Sequence, residues 1–163
     1  MWWLFIFLMA VSPVFGDVIS GVDRVAVYKK KRMLQLCRGD SVLKVYQIAL
    51  GKEPQGHKTR EGDSRTPEGR YVLDWRNPES RYHLSIHISY PSDKDKKRAD
   101  SLGVEPGGDI MIHGYPEGVS ASMWSRYWFL GRDWTDGCIA VSNEAMEEIW
   151  GSVENGTMID IYP

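Results

Sequence analysis

The sequence predicts a mainly β domain with a few short helices. Short runs rich in Val, Ile and Tyr recur along the chain at 22–28, 42–50 and 157–162. Such residues suit a pleated, half-buried surface. Residues 82–90 alternate strictly, with Leu84, Ile86 and Ile88 on one face and His83, Ser85, His87 and Ser89 on the other. That is the two-residue period of a strand. Turn formers such as Arg38-Gly39, Pro106-Gly107 and Asn155-Gly156 separate the runs.

Taken in order, Val22 to Tyr28 and Met33 to Cys37 read as strands across the basic turn Lys29-Lys30-Lys31-Arg32. Val42 to Leu50 completes an antiparallel meander. Residues 51–69 hold almost no apolar side chains but four glycines and two prolines, and read as a long ordered loop closed by Thr66-Pro67-Glu68-Gly69. His57 in this loop is expected at the surface. Tyr71 to Trp75 and Tyr82 to Tyr90 are the next strands. Ser92 starts a helix with Asp93 and Asp95 in its first turn, and Gly103 stops it. Asp109 to His113 is a short strand, and residues 115–134 read as an irregular aromatic segment. Ser142 caps a helix with Met146, Ile149 and Trp150 on one face, and Thr157 to Tyr162 is the last strand.

A length of 163 residues, 42% hydrophobic and 26% charged, suits one domain with one core. A net charge of −2 gives no footprint for nucleic acid as a partner. Residues 2–11 are apolar throughout but too short to span a bilayer as a helix. Val14 and Gly16 are small enough for a signal-peptidase site, so residues 1–16 read as a secretory signal cut after Gly16, leaving 17–163 as the mature domain. No Lys or Arg precedes the apolar run. The competing reading is an uncleaved anchor or a buried N-terminal element. Export would permit one disulfide between the two cysteines, Cys37 and Cys138. Cys37 sits in a strand-like run, where a thiol acts as a small hydrophobe, and a bridge would consume the Cys138 thiol. Two free thiols are the favoured reading.

Cys138 follows Gly137 in a turn, and His113 precedes Gly114 at a strand end. A thiol nucleophile needs a base within reach and donors for a developing oxyanion. Each residue alone reads as structural: a buried cysteine, a satisfied histidine. The pair, with a glycine beside each, favours chemistry. His57, His83, His87 and His113 lack metal-ligand spacing. Glu144, Glu147 and Glu148 fit the solvated start of a helix rather than an acid–base pair.

His113-Gly114 and Thr135-Asp136-Gly137-Cys138-Ile139-Ala140-Val141-Ser142-Asn143 resemble the signature of the L,D-transpeptidase (YkuD-like) catalytic domain. The run Thr66-Pro67-Glu68-Gly69-Arg70-Tyr71 and the strands Leu84 to Pro91 and Pro106 to Gly114 extend the likeness over roughly residues 22–162. The resemblance implies a β-sandwich-like domain with the cysteine at one end under a flap. It implies Cys138 as nucleophile, His113 as general base and acid, and an oxyanion hole from backbone N–H groups around Gly137 and Cys138. It implies a peptidoglycan tetrapeptide stem as donor, a thioester intermediate, and an amine acceptor from a second stem or a lipoprotein. It calls for no metal or organic cofactor, and a monomeric, periplasmic enzyme is expected.

Two positions depart from the family pattern: Asp136 replaces a histidine and Ala140 an arginine, and the spacer after His113 is long. They resemble a proteobacterial branch whose members form cross-links, attach lipoproteins or reverse that attachment. Asp136 would disfavour the thiolate if ionised and close; the alternatives are that it points away or binds the substrate's amine. His87 and Tyr90 are candidates for lining the substrate groove, Arg132 for reading the stem's charged groups, and Thr135 and Asp136 for contacts beside the thiol. The alternatives carried forward are hydrolysis of the same bond type and a non-catalytic wall-binding module.

Overall fold

The computed structural model describes residues 18–119 and 122–163. The proposed signal, 1–16, lies outside the described residues. Three strands, β1 (Arg24–Tyr28), β2 (Met33–Arg38) and β3 (Ser41–Gln47), form the expected antiparallel meander. A long β4 (Gly69–Ser80) turns into β5 (His83–Ile88), and the helix α1 (Asp93–Leu102) follows. Then come β6 (Met111–His113), α2 (Met123–Leu130), β7 (Ile139–Ala140), α3 (Asn143–Ser152) and β8 (Thr157–Tyr162).

Among the described residues, the eight strands make one sheet in the order β3-β2-β1-β8-β4-β5-β6-β7. The last strand is therefore its centre: β8 runs parallel to β1 and antiparallel to β4, joining the meander to the later hairpin. Just past β3, Ala49 bridges Ala140 of β7, and Gly51 bridges Thr135. The two sheet edges thus meet, and the sheet folds over its own core like a sandwich. That core holds Val25, Val27, Leu34 and Leu36 from one half and Leu73, Ile86, Ile88 and Ile112 from the other. Met146 and Ile149 of α3 close it. Each fully buried Leu or Ile contributes roughly 1.5–3 kcal/mol of transfer free energy.

Caps fall where the sequence places them. The Ser92 hydroxyl accepts from the Asp95 N–H in a reciprocal capping box, and Gly103 ends α1 with φ 66°. Ser142 caps α3 on the Ala145 N–H. Two elements differ from expectation. β4 runs five residues beyond Trp75, because its pairing with β5 skips register between Asn77 and Ser80 and leaves Pro78 out of the ladder. The segment 115–134 contains α2, closed where the Gly131 N–H donates to the Tyr127 carbonyl. Its aromatic residues have middling helix propensity, so composition alone hides the turn.

Candidate active site

The short parallel pair β6–β7 builds the site. Ile112 pairs with Ile139 and His113 with Ala140. Extending that register by one residue sets Met111 beside Cys138, and the Met111 N–H indeed points at the Cys138 Sγ, 3.4 Å away. Cys138 and His113 therefore project from one face, two rows apart. Both line a cavity of about 540 Å³ with Tyr82, Ser85, Asp109 and Trp134.

The turn before Cys138 is tied by Thr135. Its buried hydroxyl donates to the Cys138 carbonyl at 2.7 Å and accepts the Gly137 N–H at 3.1 Å. Gly137 has φ 136°, and a Cβ there would lie 2.8 Å from the Arg65 carbonyl oxygen. The Gly137 N–H is thus committed to Thr135, whereas the Cys138 N–H donates to no described group. The thiol itself donates to the Asp109 carbonyl at 3.5 Å. Burial pushes its pKa up. The Met111 N–H opposes this, the Asp109 and Asp136 carboxylates add to it, and the Lys58 ammonium draws it back. The resting sulfur is a protonated thiol.

The backbone holds the imidazole of His113 in one tautomer. Its Nδ1 lies 2.7 Å from the Gly114 carbonyl. A carbonyl only accepts, so Nδ1 carries the proton and Nε2 keeps its lone pair. Burial lowers the imidazole pKa to about 4 despite that hydrogen bond, so the ring is neutral at pH 7. Tyr82 covers one side, with ring centroids 4.5 Å apart, and Trp134 stands edge-on at 5.6 Å. Gly114 has no room for a side chain: its Cβ would press on the Asn143 Oδ1, which accepts the Tyr115 N–H at 2.7 Å.

Of the remaining sequence candidates, Thr135 and Asp136 line the cavity. Asp136 turns outward, its carboxylate 84% exposed and 2.7 Å from the Lys52 ammonium, so its effect on the sulfur is minor. His87, Tyr90 and Arg132 do not line this cavity. His87 pairs with Asp74 at 2.6 Å and stacks on Trp75. Tyr90 is buried and donates to the Pro106 carbonyl. The Arg132 guanidinium lies 3.8 Å above the Trp128 ring. His57 is mostly buried rather than at the surface: its Nδ1 accepts the Glu68 N–H, and Nε2 lies 3.0 Å from Asp95. Ser85, directly opposite His113 in the β5–β6 ladder, went unmarked although it stands on the polar face of an alternating strand. Asp109 had no sequence signal; its φ of 54° is visible only in the fold. Among the described residues, no group of His, Cys, Asp and Glu side chains is placed to hold a metal ion.

The geometry at Gly137 gives a direct test. In Gly137→Ala, a non-glycine residue at positive φ costs about 1–3 kcal/mol, and the new methyl must displace the Arg65 carbonyl or the turn. The melting temperature should fall, and Cys138 acylation, followed by intact mass, should slow about 100-fold. An unchanged rate would mean that the turn tolerates the shift.

Comparison with known proteins fits this geometry. The family model of the L,D-transpeptidase catalytic domain matches residues 22–161. A protein of Escherichia coli (strain K12), provisionally named the L,D-transpeptidase YafK, is 30% identical over 153 residues, covering 85% of this chain and 53% of that protein. The chain thus spans about half the length of the curated relatives it matches. The crystal structure of the helical cell shape determining protein Pgp2 from Campylobacter jejuni has TM-score 0.63 and 26% identity, over 90% of this chain and 49% of that one. An L,D-transpeptidase from Xylanimonas cellulosilytica shares the fold, with TM-score 0.55 and 18% identity over 90% of this chain and 63% of that one.

Proposed function

The chain belongs to the L,D-transpeptidase catalytic domain family, and from that premise we propose that Cys138 and His113 transfer acyl groups of peptidoglycan stem peptides. The observation that carries this reading is the tautomer of His113. Its Nδ1–H is held by the Gly114 carbonyl, and its free Nε2 shares a cavity with the Cys138 thiol.

Nε2 takes the thiol proton as sulfur attacks the carbonyl between the third stem residue and the terminal D-alanine. The Cys138 N–H receives the oxyanion. His113 returns the proton to the departing D-alanine amine, the C–N bond breaks, and a thioester remains. An acceptor amine, from a second stem or a lipoprotein lysine, then attacks. His113 takes its proton, and the thiol is restored. Gly137 and Thr135 shape the turn, and Gly114 seats the imidazole.

Residues 1–16 are proposed as the export signal and 17–163 as one catalytic domain working in the periplasm. Likeness to a protein named for determining helical cell shape supports a wall substrate. Hydrolysis is the second reading: the half-buried sulfur opens onto a wide cavity, so water can reach the same thioester.

The test incubates the chain from Asp17 onward with disaccharide-tetrapeptide and follows products by mass spectrometry. A thioester adduct, D-alanine release and cross-linked dimer are expected. Absence of all three overturns the proposal. Cleavage of lipoprotein-linked muropeptide without exchange would select hydrolysis.

A further inference from the structure

The loop 51–69 carries a charge pair that the reaction itself does not use. Lys58 and Asp63 are both buried, with side chains 4% and 7% exposed, and lie 2.9 Å apart. The Asp63 carboxylate is fully engaged. Oδ1 accepts the Lys58 ammonium and the Arg65 N–H, and Oδ2 accepts the Thr59 and Arg60 N–H groups at 2.8 and 3.1 Å. Lys58 also donates to the Arg60 carbonyl at 3.0 Å. Burial would raise the carboxyl pKa, but the ammonium and three backbone N–H groups outweigh it and hold it down to about 2.

A buried pair of this kind contributes little net stability, since desolvation offsets most of its attraction. What it does fix here is the path of the backbone. Ser64 sits at φ 52°, a left-handed conformation that a non-glycine residue rarely keeps without support. The next N–H, that of Arg65, is held by Asp63, and the Ser64 carbonyl accepts the Glu53 N–H at 3.1 Å. The Ser64 and Arg65 carbonyls then meet the site. The Ser64 oxygen packs against Gly51, and the Arg65 oxygen packs against Gly137. Gly51 bridges Thr135, and the Lys52 N–H donates to the Thr135 carbonyl at 3.0 Å. The loop therefore braces the Cys138 turn from two sides.

We propose that the Lys58–Asp63 pair is a positioning device for the Cys138 turn, holding the Ser64 and Arg65 carbonyls as the surface against which Gly51 and Gly137 are set. It rests on the reading of Cys138 as nucleophile only for its kinetic consequence; the geometric claim stands on the thiol alone. The Lys58 ammonium also lies near enough to ease ionisation of the Cys138 sulfur, so its loss should be felt there directly.

The test compares wild type, Asp63→Asn and Lys58→Met in the chain from Asp17 onward. Three readouts are taken: acylation by a tetrapeptide stem or a carbapenem, iodoacetamide alkylation of Cys138 against pH, and thermal melting. Cys37 is buried, so native alkylation reports Cys138. Both variants should fold at 25 °C, yet acylate about 10–100-fold more slowly, with half-saturation moved less than about 3-fold. The alkylation midpoint of Lys58→Met should move to higher pH. Wild-type rates and an unmoved midpoint in folded variants overturn the proposal. So does failure of both variants to fold, which would make the pair a stability element. If the wild type is alkylated but never acylated, the nucleophile reading fails, while the alkylation rate of Asp63→Asn, which keeps the Lys58 ammonium, still decides the positioning role.

Discussion

Cys138→Ala is expected to abolish acyl transfer and every covalent adduct at this site. The loss should be complete in intact-mass spectra after incubation with a tetrapeptide stem or a carbapenem, and at least about 1,000-fold in D-alanine release. The other cysteine, Cys37, is buried in β2, the middle strand of the meander. The fold should survive, because Cys138 is half-buried and, among the described residues, its side chain makes two long hydrogen bonds, with the Met111 N–H and the Asp109 carbonyl. Cys138→Ser is expected to be nearly as inactive. A serine hydroxyl is far harder to ionise than a thiol, and a base whose pKa is held at about 4 is too weak to draw its proton. A surviving adduct in Cys138→Ala would remove the nucleophile from the scheme. Retained binding and retained phenotype would then favour a wall-binding module.

The parts of this molecule that were legible in the sequence are those governed by local pattern. The meander follows from strand-like runs and turn residues a few positions apart. Both helix caps follow from Ser92 and Ser142. Cys138 and His113 stand out because each lies beside a glycine that the backbone needs. What was not legible depends on pairing across long separations. No local feature says that β8 inserts between β1 and β4, or that Ala49 meets Ala140. The same limit applies within the site. Ser85 gains its place only once β5 is registered against His113. Asp136, next to the sulfur in sequence, turns outward and pairs with Lys52, which the loop after β3 brings alongside. His87 and Tyr90 stand outside the cavity, where they hydrogen-bond Asp74 and the Pro106 carbonyl, contacts set by strand register that no local pattern shows. The family resemblance implies oxyanion donors among the backbone N–H groups around Gly137 and Cys138. Thr135 already holds the Gly137 N–H, which leaves the Cys138 N–H as the donor in the proposed scheme.

His113→Gln should lower acylation about 100- to 10,000-fold, the range for loss of a general base, and should also change the shape of the pH profile. In the wild type, Nε2 accepts a proton only while the ring is neutral. With the pKa lowered to about 4 by burial, acylation should hold its value through neutral pH and fall off only near pH 4. Glutamine cannot take the thiol proton, so the residual rate should follow thiolate alone and climb steadily toward alkaline pH. Tyr82→Ala should show the cause of the low pKa. Removing the ring 4.5 Å from the imidazole admits water, and the acidic limb should move up toward the ordinary histidine value of 6.5. Stability should respond in the same window. The folded-state pKa lies below the unfolded one, so the unfolded chain binds the proton first, and wild-type stability falls as pH drops from 6.5 toward 4. The full difference amounts to about 3 kcal/mol. His113→Gln lacks this penalty and should lose correspondingly less stability over that interval. Denaturant titrations at pH 7 and pH 4.5 would measure it. An acidic limb near pH 6.5 in the wild type would mean that the imidazole is far more solvated than its cover of Tyr82 and Trp134 implies.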